Sequence, residues 1–499
     1  MSDDEQVLAR LDTYRAHDAP THGGRVLSYV YDSGLAELDA LAAAAAARVQ
    51  PVNGLDPTTF PSVALLQADL LAFAREVLHG PVGTSGAVTS GGTESIMLAV
   101  LAARERWRED RPGDRRTPRV VAPSTAHAAF HKAAHYLGLE MVTVPVDPAT
   151  GTLPAEHLAA HLDEATALAV ASAPAYPHGV LDPVVGIAAA AAERGIPCHV
   201  DACVGGFVLP WWEGTPPWDL GVPGVSSISA DLHKFGYAPK GASVLLVADP
   251  ALDRARYYAL TDWPGYPVVN PTVLGSRSAM SLAAAWAVVT RLGAQGYADL
   301  TAGLARVTAA VRQVVEDIPG LQVVGAPVGP LLAVGTDPTV PAGGQVDPHA
   351  WAQAVAARGF VLQGQPALAQ TDGTVLPRTT HLTLTPATAG VLDELAAALR
   401  AGADDVRGQA AAHGVQDAAA REDASAPATG DAAAPADLPD PVALARAARE
   451  TGDLDLPSVL ALIEALPREQ SARLLVDFLA AFTAPPDQAG AGTGLRPDR

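Results

Sequence analysis

Residues 229–241 read SADLHKFGYAPKG, and the rest of the chain can be interpreted outward from this stretch. It holds Lys234 and Lys240, whereas the third lysine of the 499 residues is Lys132 and the remaining 30 of the 33 basic residues are arginines. A desolvated lysine amine can form an imine, which the permanently charged arginine side chain does not do under ordinary conditions. Lys234 therefore has either a covalent role or no special role in a chain whose composition favours arginine.

Three other segments place polar groups at helix starts or strand ends. Gly91, Gly92 and Thr93 precede an apolar helix, where free N–H groups and the helix dipole favour an anion such as phosphate, although a plain capped helix start explains the same pattern. His127 follows a predicted strand, where it can stack on a flat ring or simply begin a helix. Asp201 ends an apolar strand, and functional sites of α/β proteins lie at the carboxyl ends of such strands. It can pair with a protonated ring nitrogen or cap the next helix.

These four features have one economical joint explanation. An anion cradle, a stacking group, a carboxylate and an imine-forming lysine are the parts needed to hold pyridoxal phosphate. Each feature is weak alone, and their occurrence in one α/β framework is what indicates the cofactor.

The order of apolar segments predicts the fold class. From about residue 85, short apolar strands alternate with longer helical stretches, which predicts a mainly parallel sheet covered by helices. A long helix followed by mixed strands and helices then predicts a smaller α+β domain. We expect residues 1–60 to form an N-terminal segment that contributes to a dimer and its active site, residues 61–275 a large domain and residues 276–405 a small domain. We expect residues 406–440 to form a disordered linker, residues 441–484 a helical appendage and residues 485–499 a disordered tail.

Composition excludes several classes of function. The formal net charge of −21 argues against a nucleic-acid binder or a protein held on an anionic membrane, but not against a small anionic ligand. Cys198 and Cys203 are the two cysteines, which excludes a disulfide framework and favours a reducing compartment, and no Cys/His metal-binding spacing is present. The acidic N-terminus has no apolar signal region, and no apolar run reaches about 18 residues. We therefore expect a cytoplasmic protein with no membrane anchor and no metal site.

The chain resembles the pyridoxal-phosphate-dependent group II decarboxylase superfamily, and within it the sphingosine-1-phosphate lyases. The resemblance runs from about residue 20 to residue 400. It is carried by residues 89–96, 126–130, 177–183, 199–203, 227–241, 261–263 and 271–277.

This resemblance implies a fold-type I architecture, like that of aspartate aminotransferase, and an obligate homodimer with its sites at the subunit interface. It implies that Lys234 is the Schiff-base lysine, that Asp201 pairs with the pyridinium nitrogen and that His127 stacks on the ring. It also implies a phosphate site made by Gly91, Gly92, Thr93, His233 and, from the other subunit, Ser276.

The resemblance extends to the substrate side, with one departure. Tyr31 and Lys240 match positions that face the substrate phosphate in such lyases, and Tyr31 is also a candidate proton carrier. Residues 53–57 read NGLDP where the lyases have Asn-Pro-Leu-His-Pro, so that Asn53 is kept and Asp56 replaces a histidine. A carboxylate repels a phosphate, so this loop argues against a phosphorylated substrate.

Three functions remain open at this point. The first is a carbon–carbon lyase that cleaves the Cα–Cβ bond of an amino alcohol, a small-molecule amine, in retro-aldol fashion. The second is an amino-acid decarboxylase, which needs a cation for the α-carboxylate; Arg25, Arg277 and Arg378 are the candidates. The third is a dimeric scaffold whose working part is residues 441–484, which the intact set of cofactor residues disfavours.

Overall fold

The computed structural model describes residues 2–409, 440–451, 459, 464 and 466–485. The chain divides into two compact units. The larger comprises residues 20–408, and the smaller comprises residues 1–19 together with 409–499. The expected boundaries after residues 60 and 275 both fall inside the larger unit.

A seven-stranded sheet forms the centre of the larger unit, in the order β1-β7-β6-β5-β4-β2-β3. Strands β2 to β6 pair in parallel, whereas β7 pairs antiparallel with both β6 and β1. The strands are β1 (Ser85–Thr89), β2 (Arg119–Pro123), β3 (Glu140–Val144), β4 (Thr166–Ser172), β5 (Cys198–Asp201), β6 (Val225–Ala230) and β7 (Ser243–Val247).

Helices cover both faces of this sheet, so that the inner strands β4 and β5 are buried along their whole length. On one face, Val120 and Val170 pack in a cluster with helices α4 and α5, through residues such as Phe130. On the other face, Val121 and Ala169 belong to the cluster that includes α6 and α7. The helices of this region are α2 (Ala36–Arg48), α3 (Pro61–Val77), α4 (Gly92–Asp110), α5 (Ala128–Leu137), α6 (Ala155–Ala159), α7 (Val184–Ala192) and α8 (Pro250–Arg254).

A second, antiparallel sheet follows in the chain, with the strand order β10-β11-β15-β12. The long helix α9 (Met280–Glu316) precedes it and is interrupted at Gly293, where φ is +55°, a value that glycine adopts without strain. The other elements are β8 (Tyr258–Leu260), β9 (Val268–Asn270), β10 (Leu321–Val323), β11 (Leu331–Thr336), α10 (Pro348–Ala356), β12 (Gln363–Gln365), β13 (Leu368–Ala369), β14 (Val375–Leu376), β15 (Thr379–Thr383) and α11 (Leu392–Val406).

The smaller unit contains helices α1 (Asp3–Arg15), α12 (Pro441–Thr451) and α13 (Arg468–Thr483). Helix α1 begins with a capping box in which Ser2 and Glu5 satisfy each other's backbone N–H groups. Most of the predicted linker and the predicted tail lie outside the described residues, at 410–439 and 486–499. Within the described part of the chain, no helix is long and apolar enough to cross a membrane.

Candidate active site

The carboxyl ends of the central strands meet at one edge of the sheet, where a cavity of about 370 Å³ opens. Five separate segments of the chain reach its wall: the β1–α4 loop, the start of α5, the segment after β4, the end of β5 and the segment after β6. The cavity thereby brings together seven of the predicted site residues, namely Gly91, Gly92, Thr93, His127, Asp201, His233 and Lys234.

Lys234 has a partner that the sequence-based prediction missed. Its Nζ lies 2.9 Å from Oδ2 of Asp231, whose side chain is 1% exposed, and Nε2 of His233 lies 3.5 Å from the same oxygen. Burial alone lowers the pKa of Lys234, but the Asp231 carboxylate reverses this and the pKa is raised overall. The spacing of three residues, which places both side chains on one turn, is the signal that could have revealed this pair.

The glycine loop packs directly against this pair. A Cβ atom at Gly92 would lie 2.5 Å from Cys203 Sγ and 2.9 Å from Asp231 Oδ1, and one at Gly91 would lie 3.2 Å from His233 Cε1. Close packing therefore requires glycine at position 92, whereas a side chain at position 91 would need only a small shift of the His233 ring. The free N–H groups at the start of α4 suit the anion site that the sequence predicts.

Glu94 fixes the position of the same loop and was also missed. Its buried carboxylate accepts hydrogen bonds from the N–H and the hydroxyl of Ser90, both at 2.7 Å, and from the N–H of Val273 at 2.8 Å. Glu94 thus connects the β1–α4 loop with the segment that leads to Ser276.

His127 begins a helix, which is one of the two interpretations that the sequence left open, whereas stacking on a cofactor ring stays a prediction. It is the N-cap of α5, where its Nδ1 accepts a hydrogen bond from the N–H of Ala129 at 3.2 Å. Because Nδ1 is the acceptor, the proton of the neutral ring is on Nε2. The same ring forms part of the cavity wall.

Asp201 is buried at the end of β5 and faces the cavity. Its Oδ1 accepts hydrogen bonds from the N–H of Cys203 at 3.0 Å and from the hydroxyl of Ser229 at 3.5 Å. These two donors hold the carboxylate in a fixed orientation at the cavity wall. It can therefore pair with a protonated group in the cavity.

Tyr31 and Lys240 lie together beside this site. Lys240 Nζ is 4.5 Å above the centre of the Tyr31 ring and donates a hydrogen bond to the backbone oxygen of His233 at 2.9 Å. Burial raises the pKa of Tyr31 to about 12. Burial and the nearby charge of Lys234 lower the pKa of Lys240 to about 8. Tyr31 therefore keeps its proton at neutral pH, whereas Lys240 titrates at a mildly alkaline pH.

The loop of residues 53–57 does not form part of the cavity wall in the described chain. Asn53 Nδ2 donates a hydrogen bond to Ser276 Oγ at 3.3 Å, so the loop is joined to Ser276, which also lies off this wall. Asp56 accepts hydrogen bonds from the N–H groups and hydroxyls of Thr58 and Thr59, which lower its pKa to about 2. The roles predicted for these residues, including that of Ser276 in the other subunit, stay predictions.

The three arginines considered for a carboxylate site have other partners. Arg25 forms an ion pair with Glu394 at 2.5 Å, and Arg378 forms one with Asp347 at 3.2 Å. Arg277 donates a hydrogen bond to Thr272 Oγ1. No arginine lines the cavity among the residues that the structure describes.

Comparisons with known sequences agree with this geometry. The family model of the pyridoxal-dependent decarboxylase conserved domain matches residues 26–325. Sphingosine-1-phosphate lyase 1 of Rattus norvegicus is 36% identical over 337 residues, which cover 66% of this chain and 58% of the relative. The lyase of Dictyostelium discoideum is 37% identical over 291 residues, which cover 57% of this chain and 54% of the relative. The chain thus spans somewhat more than half the length of these curated relatives.

Solved structures confirm the predicted fold class. The sphingosine-1-phosphate lyase of Burkholderia pseudomallei matches with a TM-score of 0.74 and 33% identity, over 82% of this chain and 92% of that one. Glutamate decarboxylase of Lactobacillus brevis, at 19% identity, matches with a TM-score of 0.70 over 82% of this chain and 94% of that one, which shows a shared fold. The family model, which spans more than half of the residues, and the lyase structure together establish that the chain belongs to the pyridoxal-dependent decarboxylase family.

Proposed function

We propose that the protein is a pyridoxal-phosphate-dependent carbon–carbon lyase that cleaves the Cα–Cβ bond of an amino alcohol. The observation that carries this proposal is the composition of the site around Lys234. Tyr31 and Lys240 lie beside the lysine as proton-carrying groups, whereas no arginine reaches the cavity wall within the described residues. The relatives named above, which are sphingosine-1-phosphate lyases, support the same reaction class.

The residues of the cavity fit the proposed cofactor. Gly92, where a Cβ atom would collide with Cys203 and Asp231, leaves room for an anion at the N-terminus of α4, which suits the phosphate. Asp201 suits the ring nitrogen, and His127 suits the face of the ring. Lys234 supplies the only amine among the residues that line the described cavity. Pyridoxal phosphate, when bound through an amine, withdraws electrons from a bond at the carbon next to that amine.

The chain's own residues then have distinct tasks in this proposal. Asp201 would accept the hydrogen bond of the protonated ring nitrogen and so maintain the electron demand of the cofactor. The Lys234 amine, once replaced by the substrate amine, would be the group that supplies a proton to the substrate carbon. Asp231, 2.9 Å from Nζ, keeps the released lysine in position and favours its charged form.

Tyr31 and Lys240 are assigned to the oxygen of the substrate. Removal of the β-hydroxyl proton needs a base, and Lys240, with a pKa of about 8, is partly neutral at mildly alkaline pH. Tyr31, with a pKa of about 12, stays protonated and can donate a hydrogen bond to the forming carbonyl oxygen. The pair thus supplies both an acceptor and a donor at the bond that breaks.

A group II amino-acid decarboxylase is the alternative, and the family model itself bears that name. That reaction requires a cation or a set of donors at the α-carboxylate. Arg25 and Arg378 have carboxylate partners in the described structure, and neither lies at the cavity wall. The lyase reaction is therefore the better supported of the two.

The charge of Asp56 affects which headgroup the substrate can carry if its loop faces the substrate. Its carboxylate is held ionised by four donors of its own loop, so it keeps a negative charge at any pH at which the enzyme would work. We propose that the substrate lacks a phosphate or binds it without this loop.

The protein is proposed to act as a homodimer in the cytoplasm. The β8–β9 hairpin exposes large apolar side chains, among them Trp263, Tyr266 and Val269, the last two at 59% and 61%. A patch of this kind is typical of an interaction surface. The two cysteines are free thiols, which supports a reducing compartment.

An activity panel tests the proposed function. The protein is reconstituted with pyridoxal phosphate and incubated with sphingoid bases, with and without a phosphate, and separately with amino acids. Aldehyde release from an amino alcohol supports the lyase proposal. Carbon dioxide release from an amino acid without aldehyde release overturns it in favour of the decarboxylase.

A further inference from the structure

The buried side chains of Ser227, His199 and Ser229 form a hydrogen-bonded row that ends at the Asp201 carboxylate. The reaction proposed above assigns no role to this row. His199 is completely buried in β5, two residues before Asp201 and therefore on the same face of the strand. Its Nδ1 lies 2.8 Å from Ser227 Oγ, and its Nε2 lies 3.1 Å from Ser229 Oγ. Both serines are on the neighbouring strand β6.

The strand register accounts for this arrangement. In the parallel pairing of β5 with β6, His199 lies opposite Ser227 and Asp201 lies opposite Ser229. The ring of Phe130 covers the imidazole, with the ring centres 5.9 Å apart. The His199 ring is therefore fixed between two hydroxyls and an aromatic side chain.

The number of available protons sets the direction of these hydrogen bonds. The hydroxyl of Ser229 has one proton, which it donates to Asp201 Oδ1 at 3.5 Å, and it accepts from Cys203 Sγ at 3.3 Å. Ser229 Oγ must then also accept from Nε2 of His199. Burial lowers the pKa of His199 to about 4, so the ring is neutral and its Nδ1 accepts from Ser227. Every donor in the row thus points toward Asp201.

We propose that His199 is a positioning residue that orients the Ser229 hydroxyl toward Asp201 and so fixes this carboxylate as the hydrogen-bond acceptor for the ring nitrogen of the cofactor. The inference rests on the proposed function, since it assigns a partner to the same cofactor. Without the Ser229 hydroxyl, the N–H of Cys203 is the remaining donor to Asp201 Oδ1 among the described contacts. Loss of one donor favours the protonated form of a carboxylate, so a proton shared with the ring nitrogen would move toward Asp201.

The other ionisable groups close to Asp201 are Asp182, Cys203 and Lys234. Burial raises the pKa of Asp182 to about 7 and that of Cys203 well above its usual range. Neither group donates to Asp201 Oδ1 from its side chain among the described contacts. The row through His199 and Ser229 is thus the side-chain route by which β6 supplies a donor to this oxygen.

The test uses the holoenzyme loaded with pyridoxal phosphate that carries ¹⁵N in its ring. The ¹⁵N chemical shift reports whether the ring nitrogen is protonated, independently of any activity. In the unaltered protein we expect the protonated shift. In His199→Phe we expect a shift toward the unprotonated value, and in His199→Gln, whose amide can donate to Ser229 and accept from Ser227, we expect a return toward the original.

Ser229→Ala is the second variant, which removes less volume and should shift the signal in the same direction. Ser226→Ala is the matched control, because the Ser226 hydroxyl also bridges β5 and β6, through Cys198, but lies on the opposite face. An unchanged ¹⁵N shift in both His199→Phe and Ser229→Ala overturns the inference. If the unaltered protein forms no coloured holoenzyme, the proposed function itself fails.

Discussion

Lys234 and Asp231 form a buried ion pair at the centre of the site, with 2.9 Å between Nζ and Oδ2. A Cβ atom at Gly92 would lie within 3.0 Å of both carboxylate oxygens, so the pair is enclosed by the glycine loop as well. The amine that is proposed to bind the cofactor is therefore positioned before any cofactor is present.

Removal of one partner of this pair should destabilise the cofactor-free protein. Lys234→Met leaves the buried Asp231 carboxylate with His233, at 3.5 Å, as its remaining partner, and Asp231→Asn leaves the one-fifth exposed Lys234 amine without its carboxylate. We therefore expect each variant to lose about 1–3 kcal/mol in the free energy of unfolding. The double variant should lose less than the sum, because it leaves no unpaired charge. Denaturant unfolding of the four proteins measures this coupling, and strictly additive losses would contradict it.

An exposed pair provides the control for that comparison. Arg312 and Glu316 lie 2.7 Å apart on the surface of α9, with about two-fifths of each side chain exposed. Glu316→Gln should change the free energy of unfolding by roughly 0.5 kcal/mol or less, since solvent screens such pairs.

Substitution of Gly92 should abolish cofactor binding. In Gly92→Ala, the added methyl group collides with Cys203 and Asp231, so the start of α4 must move away from the anion site. Gly303→Ala is the matched control, since Gly303 lies in α9 with its nearest neighbouring atom 3.9 Å from the added Cβ. Alanine is favoured over glycine inside a helix by up to about 1 kcal/mol, so this control should be neutral or stabilising. Equal cofactor affinity in both variants and the unaltered protein would refute the close-packing argument.

The pH dependence of kcat/KM for an amino alcohol should report Lys240 as the proposed base. Lys240 has a lowered pKa of about 8, so it is charged below this pH and neutral above it. Because the neutral amine is the form that accepts the proton, kcat/KM should rise by about tenfold per pH unit below 8 and level off above it. In Lys240→Arg the side chain stays charged, so activity should be strongly reduced and this rise should disappear. A rise that persists unchanged in Lys240→Arg would assign it to another group.

Removal of the charge at Asp56 should favour phosphorylated substrates if this loop faces the substrate. Asp56→Asn removes the negative charge and keeps an acceptor for Thr58 and Thr59, so KM for a phosphorylated amine should fall relative to that for its unphosphorylated form. The pKa of Asp56 is lowered to about 2, below its value in the unfolded chain, so the carboxylate is ionised at neutral pH. Its contribution to the stability of the folded protein is therefore complete at neutral pH and is lost as the pH falls toward 2.

Asp372→Asn is a suitable control for this experiment. Asp372 accepts hydrogen bonds from the N–H and the hydroxyl of Thr374 in a surface turn, at 2.9 and 2.6 Å, and its pKa is lowered for the same reason. It should leave the ratio of the two KM values unchanged. If Asp56→Asn also leaves this ratio unchanged, Asp56 has no contact with the substrate.

The sequence was sufficient to predict the parallel core and four of the five segments that line the cavity. The apolar strand β4 (Thr166–Ser172) and the strand that ends at Asp201 are local patterns, and their carboxyl ends meet by topology alone. Strand β1 (Ser85–Thr89) has little apolar character and pairs antiparallel with β7, about 160 residues later, so a local pattern does not reveal it.

The missed parts of the site depend on contacts between distant or oppositely charged side chains. Asp231 lies three residues before Lys234, and its role depends on the turn that brings the carboxylate to Nζ. Glu94 stands in the first turn of α4, and only the fold brings the N–H of Val273 to its second oxygen. The hydroxyls of Thr58 and Thr59 lie two and three residues after Asp56, so this local turn is a signal that the sequence does contain.

Covalent attachment of the cofactor to Lys234 is the central claim, and one measurement tests it most directly. The protein, Lys234→Ala and the surface variant Lys132→Ala are each loaded with pyridoxal phosphate, reduced with borohydride and analysed by peptide mass spectrometry. The account predicts that the unaltered protein and Lys132→Ala carry the reduced cofactor on the peptide with Lys234, together with a visible absorption band before reduction, and that Lys234→Ala has neither. A band and a labelled peptide that persist in Lys234→Ala, or their absence from all three proteins, would contradict it.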